Sequence, residues 1–174
     1  MSEIPDTIDL RRDRDLQPRQ NDIWIRRALF ALVCAVPILA LTNLFGQQAD
    51  TSVGTAAAAG LAVTTPSRVR GGLLYQARFD VTAKTTLNQA ALVLDQGWLE
   101  DLTINTIEPS PVSQTSADGK LAFGLGRIPA GQTYALFMNF QVNPVTVGTQ
   151  DQTVTLYDGS KKLITLHRTL LIFP

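Results

Sequence analysis

Leu73-Leu-Tyr-Gln-Ala-Arg-Phe-Asp-Val-Thr-Ala-Lys84 sets Leu73, Tyr75, Ala77, Phe79, Val81 and Ala83 against Leu74, Gln76, Arg78, Asp80, Thr82 and Lys84. Side chains switch face at each residue of an extended chain, so this period of two reads as a half-buried β-strand. Tyr134, Leu136, Met138, Phe140 and Val142 repeat the pattern against Ala135, Phe137, Asn139 and Gln141. The register directs Phe79 and Phe140 into one core and Gln141 outward.

Shorter apolar runs at 90–94, 102–107, 121–125 and 154–157 supply further strands. Between them stand Asp95-Gln-Gly97, Pro109-Ser-Pro111, Asp118-Gly119, Pro129-Ala-Gly131, Asn143-Pro144 and Asp158-Gly159. Asp-Gly supplies the positive φ angles of tight hairpins. Seven or eight short strands at this spacing, without an amphipathic helix, predict an all-β domain over residues 61–174. An antiparallel β-sandwich is favoured over a small barrel.

Leu163-Ile-Thr-Leu-His-Arg-Thr-Leu-Leu-Ile-Phe-Pro174 reads as one long strand, with Ile164, Leu166, Leu170 and Ile172 on a shared face that Arg168 interrupts. Leu170, Leu171, Ile172 and Phe173 put apolar groups on both faces. One reading is a final sandwich strand shielded by a loop. The sharper one is a partner-facing sheet edge that pairs with another chain through main-chain hydrogen bonds.

Gly124-Leu-Gly-Arg-Ile-Pro-Ala-Gly-Gln-Thr133, an alternating strand, then Asn143-Pro144 and Val147-Gly148-Thr149, resembles the second half of bacterial immunoglobulin-like surface repeats. In the turn, Pro129 pre-sets φ, Gly131 relieves it and Thr133 begins the strand. The resemblance spans residues 70 to 160 loosely and is motif-like over about 30 of them. It implies an immunoglobulin-like sandwich with structural or adhesive use, in one copy rather than a tandem array, and carries over no catalytic residue.

The N-terminal quarter has a different character. Residues 28–45 contain no charged side chain. At ~1.5 Å per residue a helix of that length spans roughly 27 Å, close to the hydrocarbon thickness of a bilayer. Trp24, with Ile23 and Ile25, suits the interface, and Pro37 is tolerated as a kink in lipid. A buried core helix would need a large helical protein to cover it, and none follows. Arg26 and Arg27 flank the run on its N-terminal side, whereas no base follows it until Arg68. The positive-inside rule then places residues 1–27 as a cytoplasmic tail, without a core of its own, and the C-terminal domain outside the plasma membrane.

A cleaved signal peptide is the rival reading; the long basic region and the poor cleavage candidate at Ala49 argue for an uncleaved, single-pass anchor. Residues 46–60, small and free of aromatics, read as a flexible stalk. Cys34, the only cysteine, lies in the apolar run, so no internal disulfide can form. The lack of an Asn-x-Ser/Thr acceptor fits a bacterial source.

Little in the chain points to chemistry. Formal net charge is zero, which gives no general attraction to nucleic acid. His167 is the only histidine, no second histidine or usable cysteine can join it around a metal, and it reads as a surface residue. Glu100 and Asp101 are adjacent, so on a strand they point apart and make a poor acid–base couple. The loop serines lack a neighbouring base or a nucleophile elbow. Loop carboxylates Asp95, Asp151 and Asp158 have no regular calcium spacing. No cofactor is called for.

Two functions fit. The first is a non-catalytic, membrane-anchored envelope protein whose exported domain binds a membrane-protein partner or cell-wall component. The second is an accessory subunit of an envelope hydrolase, or a cryptic hydrolase. The missing base and metal ligands favour the first.

Overall fold

The computed structural model describes residues 20–41 and 46–174. They fall into two units, one ending at Leu44 and one running from Phe45 to Pro174. In the first, helix α1 covers Gln20–Leu41 and contains Pro37. It begins eight residues before the expected span, so Arg26 and Arg27 lie on the helix. The rest of the expected tail, residues 1–19, and residues 42–45 lie outside the described residues.

The second unit contains thirteen strands among the described residues, in place of the seven or eight expected. They are β1 (Ala49–Thr55), β2 (Ala59–Pro66), β3 (Arg68–Arg70), β4 (Leu74–Ala83), β5 (Leu87–Leu94), β6 (Leu102–Glu108) and β7 (Ser113–Ala117). Then come β8 (Lys120–Ile128), β9 (Thr133–Val142), β10 (Gly148–Asp151), β11 (Val154–Asp158), β12 (Lys161–Leu166) and β13 (Thr169–Phe173). Most of the additional strands have no apolar alternation, although β2 alternates buried Ala59, Leu61, Val63 and Thr65 with half-buried residues. β7 is polar and exposed throughout, and β3 and β10 have only three and four residues.

The strands form an antiparallel β-sandwich of the immunoglobulin-like kind. One sheet has the order β1-β2-β4-β9-β6 and the other β12-β11-β5-β8-β7, with a short third sheet, β10-β13-β3. β13 and β3 run parallel; the other described pairs are antiparallel. The two alternating segments quoted above are neighbours, β4 and β9, with Phe79 opposite Leu136 and Tyr75 opposite Phe140. Their inward residues meet Leu92 and Leu94 of β5, Phe123 and Leu125 of β8, and Leu156 of β11 in one continuous core. Asp118 and Gly119 take φ of 52° and 72°, closing the β7–β8 hairpin as the Asp-Gly pair requires.

The aromatic centre of this core is Trp98. A single 3-10 turn, Gln96–Trp98, follows β5 and turns the indole inward. Its ring lies 5.3 Å from that of Phe79 and 5.5 Å from that of Phe140. Tyr75 stacks on Phe140 at 5.3 Å. Four large rings from three separate segments therefore fill the space between the sheets.

Two expectations are corrected here. Residues 46–60 are not a stalk: β1 pairs along its full length with β2, from Ala49 opposite Pro66 to Thr55 opposite Gly60. Small polar residues gave no apolar period, but an edge strand needs only main-chain partners on one side. The long C-terminal strand is two strands that change sheets at His167 and Arg168. β13, which carries Leu170, Leu171, Ile172 and Phe173, is the middle strand of its sheet, between β10 and β3. It is therefore not a partner-facing edge. Leu170 and Ile172 are buried in the core, and Leu171 lies on the other face.

Phe79 and Phe140 are fully buried and Gln141 is exposed. Phe79→Ala or Phe140→Ala should each destabilise the domain by about 3–5 kcal/mol, and Gln141→Ala should be nearly silent. Urea unfolding of residues 46–174 measures all three; equal losses for Gln141→Ala and Phe140→Ala would overturn this register.

Candidate functional site

The corner between β12 and β13 holds the most unusual polar group in the domain. Arg168 keeps the inward face of the C-terminal alternation, so its side chain is only 2% exposed. Its Nη1 donates to Asp50 O at 3.3 Å, Ser52 Oγ at 2.8 Å and Val63 O at 3.0 Å. Its Nη2 donates to Thr65 O at 3.1 Å and lies 3.9 Å from the Asp50 carboxylate. The guanidinium fork thus joins β1, β2 and the β12–β13 corner. Desolvation lowers the Arg168 pKa from its usual value, and the Asp50 charge opposes that shift.

Neighbouring groups extend the network. Gln152 is fully buried; its backbone N–H donates to Arg168 O at 2.7 Å and its Nε2 to Tyr75 Oη at 3.1 Å. Burial raises the Tyr75 pKa well above the ordinary phenol value, with the Gln152 bond acting the other way. Gly54 makes the corner possible. A Cβ there would lie 2.7 Å from Ile164 Cγ2 and 2.8 Å from Leu166 Cδ2, so β1 approaches β12 only without a side chain.

Outside this clamp is a cleft of about 460 Å³ lined by Asp50, Ser52, Ser67, Asp151, Thr153 and His167, with Arg168 and Thr169. His167 is exposed, as the sequence suggested, and its Nδ1 lies 3.1 Å from Thr153 Oγ1. Ser52 accepts a bond from a cation, which disfavours its use as a nucleophile. Both Nη atoms of Arg168 are committed to protein acceptors, so the guanidinium is not free to receive an anion. Among the described residues no group of three His, Cys, Asp or Glu side chains is placed to hold a metal. The arrangement is suited to fastening strands together.

The anchor residues named from sequence all lie on α1. Ile23–Leu41 is long and apolar enough to cross a membrane. Trp24 is 67% exposed, and the Arg27 guanidinium stands 5.5 Å above its ring. Pro37 leaves the helix running on to Leu41. Sequence reasoning noticed Arg168 only as an interruption and overlooked Gln152. The available signal was a charged residue at an inward position of an alternating run.

No family model matches the chain, and no curated protein matches it. Similar solved structures include the FixG-related protein from Vibrio parahaemolyticus, 15% identical over 66% of this chain and 95% of that one, with a TM-score of 0.38. CaCohA2 from Clostridium acetobutylicum is 13% identical, covering 73% of this chain and 92% of its own, with a TM-score of 0.42. The CARDB domain of the PF1109 protein from Pyrococcus furiosus is 12% identical over 73% and 96%, with a TM-score of 0.37. The fold assignment rests on the sheets described above.

Arg168→Ala would leave three main-chain carbonyls without their buried donor and should cost about 3–5 kcal/mol. Arg168→Lys should recover only a small part of this, because one ammonium cannot span acceptors on two strands. Equilibrium unfolding of both variants checks this; full recovery by lysine would show that charge, not the fork, matters. Tyr75 gives a separate pH signature. A phenol with a raised folded pKa stays protonated after the unfolded chain ionises, so its contribution is intact below about pH 10 and is lost as pH rises further. The unfolding midpoint of the native sequence should fall more steeply above pH ~10 than that of Tyr75→Phe.

Proposed function

We propose that this chain is a non-catalytic envelope protein, held by α1 as a single-pass anchor in a bacterial plasma membrane. In this reading its β-sandwich domain is displayed outside, where it binds a membrane-protein partner or cell-envelope component. The observation that carries the proposal is the character of α1: Ile23–Leu41 is long and apolar enough to cross a membrane, and no charged side chain follows Arg27 within it. A helix of that kind suits the hydrocarbon layer of a bilayer. Arg26 and Arg27 on its N-terminal side and the absence of a base between it and Arg68 support an inside N-terminus.

The non-catalytic part of the reading is supported by the site. Both Nη atoms of the buried cation are used in holding strands, and the hydrogen bond of the exposed His167 is to Thr153 Oγ1. The likeness of the Gly124–Thr133 turn to bacterial surface repeats supports an adhesive or binding use.

Protease added to intact spheroplasts should digest the domain beyond residue 46 and spare a tag at Met1. Protection of the C-terminal half would sink the orientation, and release of a domain with a defined N-terminus between residues 46 and 60 would show leader cleavage. Detergent-solubilised full chain should co-purify with a specific envelope partner; turnover by the isolated domain would favour a hydrolase instead.

A further inference from the structure

The two sides of the sandwich are finished differently. On one side the edge strands β1 and β12 close on each other: a Cβ at Gly54 of β1 would meet Ile164 and Leu166 of β12, and Arg168 ties β1 down. The remaining edges of the two large sheets are β6 and β7. An open edge invites another strand, and proteins ordinarily protect it with charge, proline or a bulge. β6 ends in Glu108-Pro109, and its register breaks between Ile104 and Thr106. β12 carries Lys161 and Lys162, β3 carries Arg68 and Arg70, and β10 ends at Asp151. β7, Ser113-Gln-Thr-Ser-Ala117, has neither charge nor proline, and all five residues are exposed.

The ladder with β8 fixes which main-chain groups of β7 are unpaired. Ala117 and Lys120 flank the two-residue Asp118-Gly119 turn, so they form a hydrogen-bonded pair. Alternation then turns the N–H and C=O of Ser113, Thr115 and Ala117 toward β8, and those of Gln114 and Ser116 away from it. Among the described residues no strand lies on that side. At the other end Val112 N donates to Gly124 O at 2.8 Å, although Gly124 is already the partner of Ser113. That is a bulge, and it ends the straight part of the edge. The open stretch is therefore bounded by a bulge and a turn, with Thr115 at its centre.

Such an edge is complementary to itself. Laid antiparallel on a second β7 with Thr115 opposite Thr115, Gln114 of each copy faces Ser116 of the other, and every outward N–H meets an outward C=O. Registers displaced by two residues leave Gln114 or Ser116 facing the turn or the bulge instead. The matched register also sets Asp118 and Lys120 opposite Val112 and Ser110, so no like charges oppose each other. Pairing of this kind uses the same patch on both copies and closes at a dimer rather than growing into a fibre.

We propose that β7 is a docking edge for a second copy of this chain, and that two copies pair antiparallel through the main-chain groups of Gln114 and Ser116. The pairing joins the two β12-β11-β5-β8-β7 sheets into one continuous sheet. It uses the β domain alone and goes beyond the binding function proposed above. Main-chain bonds form here at the expense of bonds to water, and β7 brings no large apolar side chain to the contact. The dimer is therefore a weak, exchanging one, best read by trapping.

In this register the two Thr115 residues form a non-hydrogen-bonded pair, with Cα atoms about 4.5 Å apart. That separation lies within the range of about 4.4–6.8 Å that a disulfide bridges. The full chain with Cys34→Ala would carry one cysteine, from Thr115→Cys, Thr103→Cys on β6 or Lys162→Cys on β12, at positions that are all exposed. Each would be oxidised in detergent micelles with a glutathione redox buffer, and disulfide dimer read on non-reducing gels. Thr115→Cys should cross-link severalfold faster than the other two. Equal rates at all three positions, as collision or association through α1 would give, would overturn the proposal. Adding Gln114→Lys and Ser116→Lys sets like charges opposite each other and should bring Thr115→Cys down to the rate of the controls. Ser116→Pro deletes an outward N–H and no bond to β8, and should do the same. Cross-linking undiminished by both changes would show that β7 does not pair through its main chain. Capture of a different protein by Thr115→Cys in the native membrane, in preference to its own copy, would overturn the assignment of the partner.

Discussion

A single buried guanidinium holds this domain at its weakest place. β1 is an edge strand of small polar residues, which by themselves bury almost nothing. The forked donors of Arg168 reach acceptors on β1 and β2, and its own carbonyl accepts from Gln152. Taking a cation out of water is costly, and the cost is tolerated only when its hydrogen bonds are replaced. Asp50, Ser52, Val63 and Thr65 supply that replacement for both Nη atoms, while Nε is buried without a partner. Gly54 permits the approach that brings β1 within reach.

The clamp also explains how a chain can pass from one sheet to another without losing its alternation. β12 belongs to the second sheet and β13 to the third, yet Ile164, Arg168, Leu170 and Ile172 all face inward. At the corner an aliphatic side chain would deprive carbonyls of β1 and β2 of the donors that Arg168 supplies. The long arginine stem remains apolar enough to lie on the core, and only its head meets the carbonyls. Away from this corner, the sheets are held by apolar contact. Trp98, between Phe79 and Phe140, is the largest side chain in that contact.

Fastening β1 also changes what residues 46–60 are. β1 pairs along its whole length with β2 and is tied through Asp50 and Ser52 to Arg168, so this stretch belongs to the domain rather than to a tether.

The sequence by itself determined the sandwich class, the β4 and β9 registers, the Asp118-Gly119 hairpin and the apolar helix. Each of these follows from local periodicity or from a backbone angle that a residue favours. Phe79 and Phe140 could be placed in one core because an alternating strand with one wet face admits a single phase. Only the tertiary structure decided that residues 49–55 form a strand, that the C-terminal run breaks at Arg168, and that Leu170 to Phe173 sit in mid-sheet. Main-chain pairing leaves no mark in side-chain pattern, so an edge strand of Ala, Asp, Thr, Ser and Gly looks like a linker until its neighbour is known. Arg168 looked like a fault in an apolar face because its partners are more than 100 residues away in sequence. Contacts at that separation are fixed by how the sheets pack, and that is information no local stretch of the chain contains.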